Sequence, residues 1–522
     1  GTAGQHAGPF WGNTMTTDDA NLFSHFRRRF LQHPDTPALS TERGESWRFR
    51  DLDQRSAAMA RCLHDLGLNP GDRVSVQIAK SPQALCLYLA CLRGGFVYHP
   101  LNPAYTAAEL QYFLGDAEPS AVICDPADID ALKPIAAAAG CHRLFTLDAG
   151  GSGSFATLAD GSGGGFDPLP RRADDMAALL YSSGTTGVPK GIRLTHGNLL
   201  SNAEALVSAW GFTGNDRLLH ALPIFHVHGL FVAISCALLS GAGMRWLTTY
   251  SAPAALKLLP ECTVMMGVPT YYTRLLAEPG LSAGVTAGMR LFVSGSAPLL
   301  TETFLAFEAR TGHRILERYG LSETGMNTSN PLYGLRKPGT VGPPLPGVDL
   351  RICDDAGNTL GVGEIGNVQV RGPNVFAGYW KLPEKTAEDF TADGYFDTGD
   401  KGQIDADGYL SIVGRARDMV ISGGLNVYPR EVERVIDAVD GVRESAVIGI
   451  PHPDFGEAVV ALIVADSPEA FDEAAISAAC EAQLANFKRP KRILRVDKLP
   501  RNAMAKVQKN ALRADYAALF AE

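Results

Sequence analysis

The 522-residue sequence lacks several features that would settle its class at once. No apolar run approaches the ~20 residues that a membrane-spanning helix needs. No charged segment followed by an apolar stretch opens the chain, so secretion is not expected. No block of five or more like charges occurs, and 47 basic against 56 acidic residues leave a net charge of −9. That balance disfavours nucleic acid as a partner. The nine cysteines (62, 86, 91, 124, 141, 236, 262, 353 and 480) are scattered, odd in number and never spaced C-x-x-C. They read as buried free thiols in a reducing compartment, which makes a cytoplasmic protein the expectation. Charged residues make up 20% and apolar ones 46%, an ordinary composition with ample material for a core.

Short β-branched runs alternate with Ala/Leu-rich stretches over the first two thirds of the chain. Val74–Ile78, Ala121–Cys124, Leu144–Leu147, Leu218–Leu222, Val264–Val268 and Leu291–Val293 read as strands. Leu52–Leu66, Ala107–Phe113, Asn198–Trp210 and Thr301–Thr311 read as helices, and the alternation predicts layered α/β architecture. The Gly/Ser-rich stretch Gly150–Gly165 reads as a surface linker. Beyond Pro338, short strands between turns suit a small β-barrel or meander. After residue 418, two helices and four strands suit a compact α+β unit. Residues 1–14 are Gly-rich and patternless and are set aside.

The densest chemistry lies in Tyr181-Ser182-Ser183-Gly184-Thr185-Thr186-Gly187-Val188-Pro189-Lys190-Gly191. Glycines admit backbone N–H groups to an anion, hydroxyls add donors and Lys190 adds a point charge. The spacing is not that of the Walker loop. Further clusters follow predicted strands, where α/β sheets bind ligands. They are Phe225-His226-Val227-His228, Gly295-Ser296-Ala297-Pro298 and Glu317-Arg318-Tyr319-Gly320-Leu321-Ser322-Glu323. On a strand the two histidines share a face, and they read as structural or substrate-lining groups rather than metal ligands. Tyr319 offers a face for a base, Glu323 a hard oxygen for Mg²⁺, and Asp400 a carboxylate for a ribose diol. Lys506 stands between small residues near the end of the chain.

In this order the motifs resemble the acyl-adenylate-forming family of acyl-CoA synthetases, peptide-synthetase adenylation domains and luciferases. Y-S-S-G-T-T-G-x-P-K-G is met at 181–191, Y-G-x-[ST]-E at 319–323, T-G-D at 398–400 and G-R-x-x-D at 414–418. The resemblance implies an α/β domain over 15–414 with a small β-barrel, a hinge at 415–418 and a mobile α+β domain over 419–522. It implies ATP and coenzyme A as co-substrates with Mg²⁺. An acyl-adenylate would form with loss of pyrophosphate, and the thiol would then displace AMP.

By the same resemblance, Ser182, Ser183, Gly184, Thr185, Thr186, Gly187 and Lys190 hold phosphates. Gly295, Ser296, Ala297, Glu317, Arg318, Tyr319, Gly320, Ser322, Asp400 and Arg415 hold the nucleotide, and Glu323 with Thr185 the metal. Lys506 bridges carboxylate and α-phosphate, and His226 gates the acyl pocket. Arg417 and Asp418 form the hinge, and Ser422, Gly423 and Gly424 line the pantetheine tunnel. Ala505 replaces the family glycine before Lys506.

Among family members the sequence is most similar to the malonyl-CoA synthetases, through 219–230, 266–272, 289–297 and 317–331. That similarity implies that Arg290 grips the distal carboxylate of malonate or methylmalonate, with His226, Ser294 and Met326 around it. The rival readings are a ligase for another short-chain or aryl acid, an adenylation domain serving a carrier-protein thiol, and a nucleotide-binding module without turnover. No membrane or nucleic-acid partner is expected, and the chain is expected as a monomer or homodimer.

Overall fold

Helix starts are written locally in the chain. Ser81 accepts a hydrogen bond from the Ala84 N–H to cap Pro82–Gly94, with proline in the first turn. Thr106 and Glu109 close a capping box on Ala107–Ala117, and Thr195 caps His196–Ala209. The computed structural model describes residues 19–183, 188–297, 299, 301–415, 418–427, 429–500 and 507–521.

Two sheets dominate the first part of the chain. In one of eight strands, Leu316–Leu321, Leu291–Ser294, Val264–Gly267, Arg217–His220, Gly243–Trp246 and Pro37–Thr41 run parallel, with an antiparallel strand at each edge. In the other, of six strands, Met176–Ser183 and Pro189–Thr195 form an antiparallel hairpin at one edge. These are the layered sheets that the alternation predicted. Parallel strands need helical crossovers, and the helices bury both sheets. The fully buried helix Pro82–Gly94 packs in the shared core.

The β region after Pro338 is a four-stranded antiparallel meander, Asp349–Cys353, Gly366–Arg371, Phe396–Ile404 and Leu410–Arg415. The last hundred residues build a separate sheet around the ribbon Val442–His452/Gly456–Ala465, with its own apolar clusters on both faces. All nine cysteines are buried and unpaired, and burial pushes the Cys86 thiol up to about 12. No helix of the described residues is long and apolar enough to cross a membrane.

Two local expectations are corrected. Gly150–Gly165 contains the helix Ser154–Gly161, because Phe155, Ala156 and Ala159 recur at helical spacing and bury one face. The segment 225–228 is a turn entering a π-helical stretch, His228–Ala233, and not a strand. Alternation therefore does not orient the two histidines; the turn does. Gly229 has no room for a side chain there, since a Cβ would stand 1.9 Å from the Pro223 carbonyl oxygen.

Candidate active site

A cavity of about 1560 Å³ opens at the carboxyl ends of Val264–Gly267, Leu291–Ser294 and Leu316–Leu321. Of the residues singled out from the sequence, His226, Ser296, Ala297, Glu317, Arg318, Tyr319, Gly320, Ser322, Met326, Asp400 and Gly424 line it. A chamber of about 60 Å³ adjoins, walled by Ser182, His226, Ser322 and Lys488 among others.

At the nucleotide side, the Tyr319 hydroxyl donates to Asp400 Oδ2 at 2.5 Å. Asp400 stands opposite Arg415 in the ladder of the meander, so backbone register brings the ribose candidates together. The Ser182 hydroxyl lies 3.5 Å from Glu323 Oε1, joining the phosphate loop to the metal candidate. The loop joins two antiparallel strands, with Ser182 opposite Lys190. A Walker loop instead leads from a strand into a helix. Lys190 Nζ stands 4.4 Å from the centre of the Tyr379 ring.

At the other side, Arg318 is 4% exposed, and its Nε and Nη2 have no hydrogen-bond partner among the described residues. Burial pushes its guanidinium down to about 9, still a cation at neutral pH. It lies flat against Gly295, where a Cβ would meet Arg318 Cζ at 2.2 Å. His228 Nδ1 is 3.2 Å from the Ser296 hydroxyl, while His228 Nε2 is buried without a partner among the described residues. Ser296 holds a left-handed φ of 70°, a conformation rare for a residue with a side chain and typical of loops shaped for a ligand. Burial first, then Arg318, His220 and His226, hold His228 well below its ordinary range, and burial puts His226 at about 4. Both imidazoles are neutral at pH 7 and line the cavity, and His228 stands near enough to Arg318 to feel its charge.

The expectation for Arg290 is corrected. It precedes the strand Leu291–Ser294 and lies at the amino-terminal rim of the sheet, away from the cavity. Its Nε and Nη2 donate to the two Asp216 oxygens at 2.7 and 2.8 Å, and Nη1 and Nη2 donate to the Trp210 and Gly211 carbonyls. With donors so engaged, it is a structural group. Ser294 is fully buried behind the cavity wall, and Gly295 serves as the flat floor under Arg318.

Of the expected tunnel residues, Gly424 reaches the cavity while Ser422 and Gly423 stand behind it in the hairpin. Asp418 pairs with Arg513 at 3.3 Å. Gly184, Thr185, Thr186, Gly187, Arg417 and Lys506 lie outside the described residues, as do the side chains of Ser183 and Arg415. His228 lines the cavity, as read from the sequence, and Val268 and Asn426 line it without having been singled out for the site. Arg318 was assigned to the nucleotide; its place near the carboxyl end of a strand was the signal that it reaches the cleft.

A cleft at the carboxyl ends of a parallel sheet, lined by a Tyr–Asp pair and adjoined by a chamber that Ser182 walls, is the site of a nucleotide-using enzyme. The model of the AMP-binding enzyme family matches residues 26–380, that of the AMP-binding enzyme C-terminal domain matches 431–506, and the chain belongs to this family. Among its relatives, the malonate–CoA ligase of Arabidopsis thaliana is 37% identical over 85% of this chain and 78% of that protein. The sulfoacetate–CoA ligase of Cupriavidus necator is 35% identical over 92% and 95%. The crystal structure of ATP-bound MatB from Rhodopseudomonas palustris is 50% identical, covering 96% of this chain and all of that one, with a TM-score of 0.76.

Proposed function

We propose that the protein is an ATP-dependent acid–thiol ligase converting malonate to its coenzyme A thioester through an acyl-adenylate, with release of AMP and pyrophosphate. The observation that carries the choice of acid is Arg318, a buried guanidinium lining the cavity whose Nε and Nη2 have no hydrogen-bond partner among the described residues. A second carboxylate supplies a counter-charge and pairs with the guanidinium at two points. Acetate or a fatty acid would leave the cation buried and uncompensated, at a cost of roughly 3–5 kcal/mol. The neutral His228 and His226 in the same cavity add hydrogen bonds without competing for the anion.

In the first step a carboxylate oxygen of the acid attacks the α-phosphorus of ATP, and the bond to the pyrophosphate oxygen breaks. In the second, the coenzyme A sulfur attacks the acyl carbon, and the bond to the AMP oxygen breaks. Tyr319 and Asp400 bind the adenosine end, and Ser182 and Lys190 steady the phosphates. Lys506 is assigned the charge that develops between carboxylate and α-phosphate. Glu323 with Ser182 beside it fits Mg²⁺, which takes one or two carboxylates and completes its shell with phosphates and water. When bound, Mg²⁺ supplies charge neutralisation on the phosphates. Gly424 and Asn426 form the wall past which the thiol arm would enter.

Sulfoacetate is the second reading, supported by the Cupriavidus necator relative and by a sulfonate that Arg318 would pair as it pairs a carboxylate. Thioester formation, AMP and pyrophosphate, measured over acetate, malonate, methylmalonate, succinate and sulfoacetate, tests both. Malonate should give the highest kcat/KM, with AMP and thioester in equal amounts. ADP as product would refute the reaction, and acetate matching malonate would refute the role of Arg318.

A further inference from the structure

Where the first 414 residues meet the last hundred, one ammonium and two carboxylates are buried together. Lys488 Nζ lies 3.0 Å from Glu109 Oε1 and 2.6 Å from Glu431 Oε1. The three side chains are 4, 7 and 5% exposed. Lys488 and Glu431 belong to the carboxy-terminal unit, in the turn Asn486–Lys488 and the helix Pro429–Asp437. Glu109 belongs to the large domain, in the helix Ala107–Ala117, and Tyr105 of that domain covers the ammonium at 5.1 Å from its ring centre. Burial alone would lower the pKa of Lys488, but Glu431, Tyr105 and Glu109 outweigh it and raise it.

The distribution of partners makes this contact separable. Glu109 uses its other oxygen, Oε2, to accept from the Thr106 N–H at 2.9 Å and the Thr106 hydroxyl at 3.1 Å, closing its own capping box. Lys488 and Glu431 are a neutral pair within their own domain. Moving the domains apart therefore strands no lone buried charge: the pair travels together, and Glu109 keeps its cap. A static ion bridge of the fold has no need of such a division, because breaking a buried pair ordinarily leaves one partner uncompensated.

The same interface sets the shape of the cavity. It brings Gly424 so close to Val268 that a Cβ would stand 2.8 Å from Val268 Cγ1, and Asn426 lies beside it. Past this point the cavity continues between the domains to Phe455 and Arg492, an opening suited to a long, thin substrate. Lys488 and Asn426 also wall the small chamber that reaches Ser182 and His226. The ion triad thus closes in the arrangement that opens a channel for the thiol.

We propose that Lys488, held between Glu109 and Glu431, is a reversible latch that keeps the carboxy-terminal domain in the thiol-accepting arrangement and so serves thioester formation, not adenylation. The assignment to the thiol step rests on the ligase reading above. Glu109→Gln tests it, because glutamine still caps the helix while the ionic bridge is lost. Adenylation is measured as malonate-dependent exchange between ATP and pyrophosphate, and the second step as coenzyme A-dependent AMP release from preformed malonyl-adenylate. The variant should lose about 10-fold in the second step, as expected for one interfacial charge pair, and stay within about twofold in the first. Hydrogen exchange should quicken at 105–110 and 486–488 with the melting temperature unchanged. Lys488→Met, which leaves two carboxylates facing each other, should show a larger loss confined to the same step. Equal losses in both steps, or unchanged rates with unchanged exchange, would overturn the latch. A wild type that makes no thioester from any acid would instead refute the ligase reading and the thiol-step role with it, while quickened exchange in Glu109→Gln would still register the contact.

Discussion

Arg290 and Asp216 face each other in a two-point ion pair at the rim of the eight-stranded sheet opposite the cavity. Burial alone would raise the Asp216 carboxyl, but its bonds from Arg290, Thr213 and Thr263 hold it below its ordinary range. Asp216 leads into Arg217–His220 and Arg290 into Leu291–Ser294, so the pair ties together two of the parallel strands at their starts. Arg290→Ala should therefore lower unfolding free energy by roughly 1–3 kcal/mol, less than a fully buried pair because Arg290 is 31% exposed. Urea denaturation checks the loss, and the ratio of malonate to acetate turnover should not move.

Arg318 carries the opposite expectation. Arg318→Met should reduce kcat/KM for malonate by roughly 100-fold or more, while KM for ATP changes by less than about threefold. A variant that lost ATP binding and malonate activity together would return Arg318 to the nucleotide. Gly295→Ala should mimic the effect, since its Cβ would displace the guanidinium it now supports.

Glu317 makes stability depend on pH. Burial raises its carboxyl from 4.5 to about 8, opposed by the hydrogen bond from the Leu299 N–H. The folded chain thus holds a proton that the unfolded chain releases. The sign follows: this contribution is complete below pH 4.5 and is lost as pH rises through 8. Glu317→Gln keeps an acceptor for Leu299 and removes the titration. The stability of wild type relative to this variant should fall between pH 5 and 8, measured by denaturant melts. Parallel curves would rule the assignment out.

Lys80 joins the two large sheets. Its ammonium lies 2.9 Å from His220 Nδ1, 2.9 Å from the His220 carbonyl and 2.8 Å from the Leu247 carbonyl. With Nδ1 accepting, His220 Nε2 donates to the Gly229 carbonyl at 2.9 Å and steadies the turn that carries His228. Lys80→Met should cost about 2–4 kcal/mol of stability by leaving these acceptors unpaired. It should also raise KM for the acid several-fold with KM for ATP unchanged, a split that loss of fold alone would not give.

Much of this was legible in the chain because it depends on neighbours in sequence. The strand Ala121–Cys124 and the helix Thr301–Thr311 coincide with their expected bounds, since the apolar period is local. Tyr319, Asp400 and Ser182 stand in motifs whose spacing identifies the family. The histidines were harder: Phe225-His226-Val227-His228 alternates like a strand, but the close approach of Gly229 to the Pro223 carbonyl makes a turn of it. Arg290 and Arg318 illustrate the limit best. Arg290 precedes its strand and Arg318 lies within the parallel neighbour Leu316–Leu321, and only the packing around each guanidinium decides that one meets Asp216 and the other faces the cavity.

The sequence by itself determined the family, the order of the domains and the phosphate, ribose and metal candidates, because those rest on residue types at short spacing. Only the tertiary structure decided which arginine has donors without a partner among the described residues and which lysine bridges the two domains. Arg290 meets Asp216 across 74 positions, and Lys488 meets Glu109 across 379. Whether a charge is satisfied depends on what the fold brings within 3 Å of it, and no local pattern carries that information.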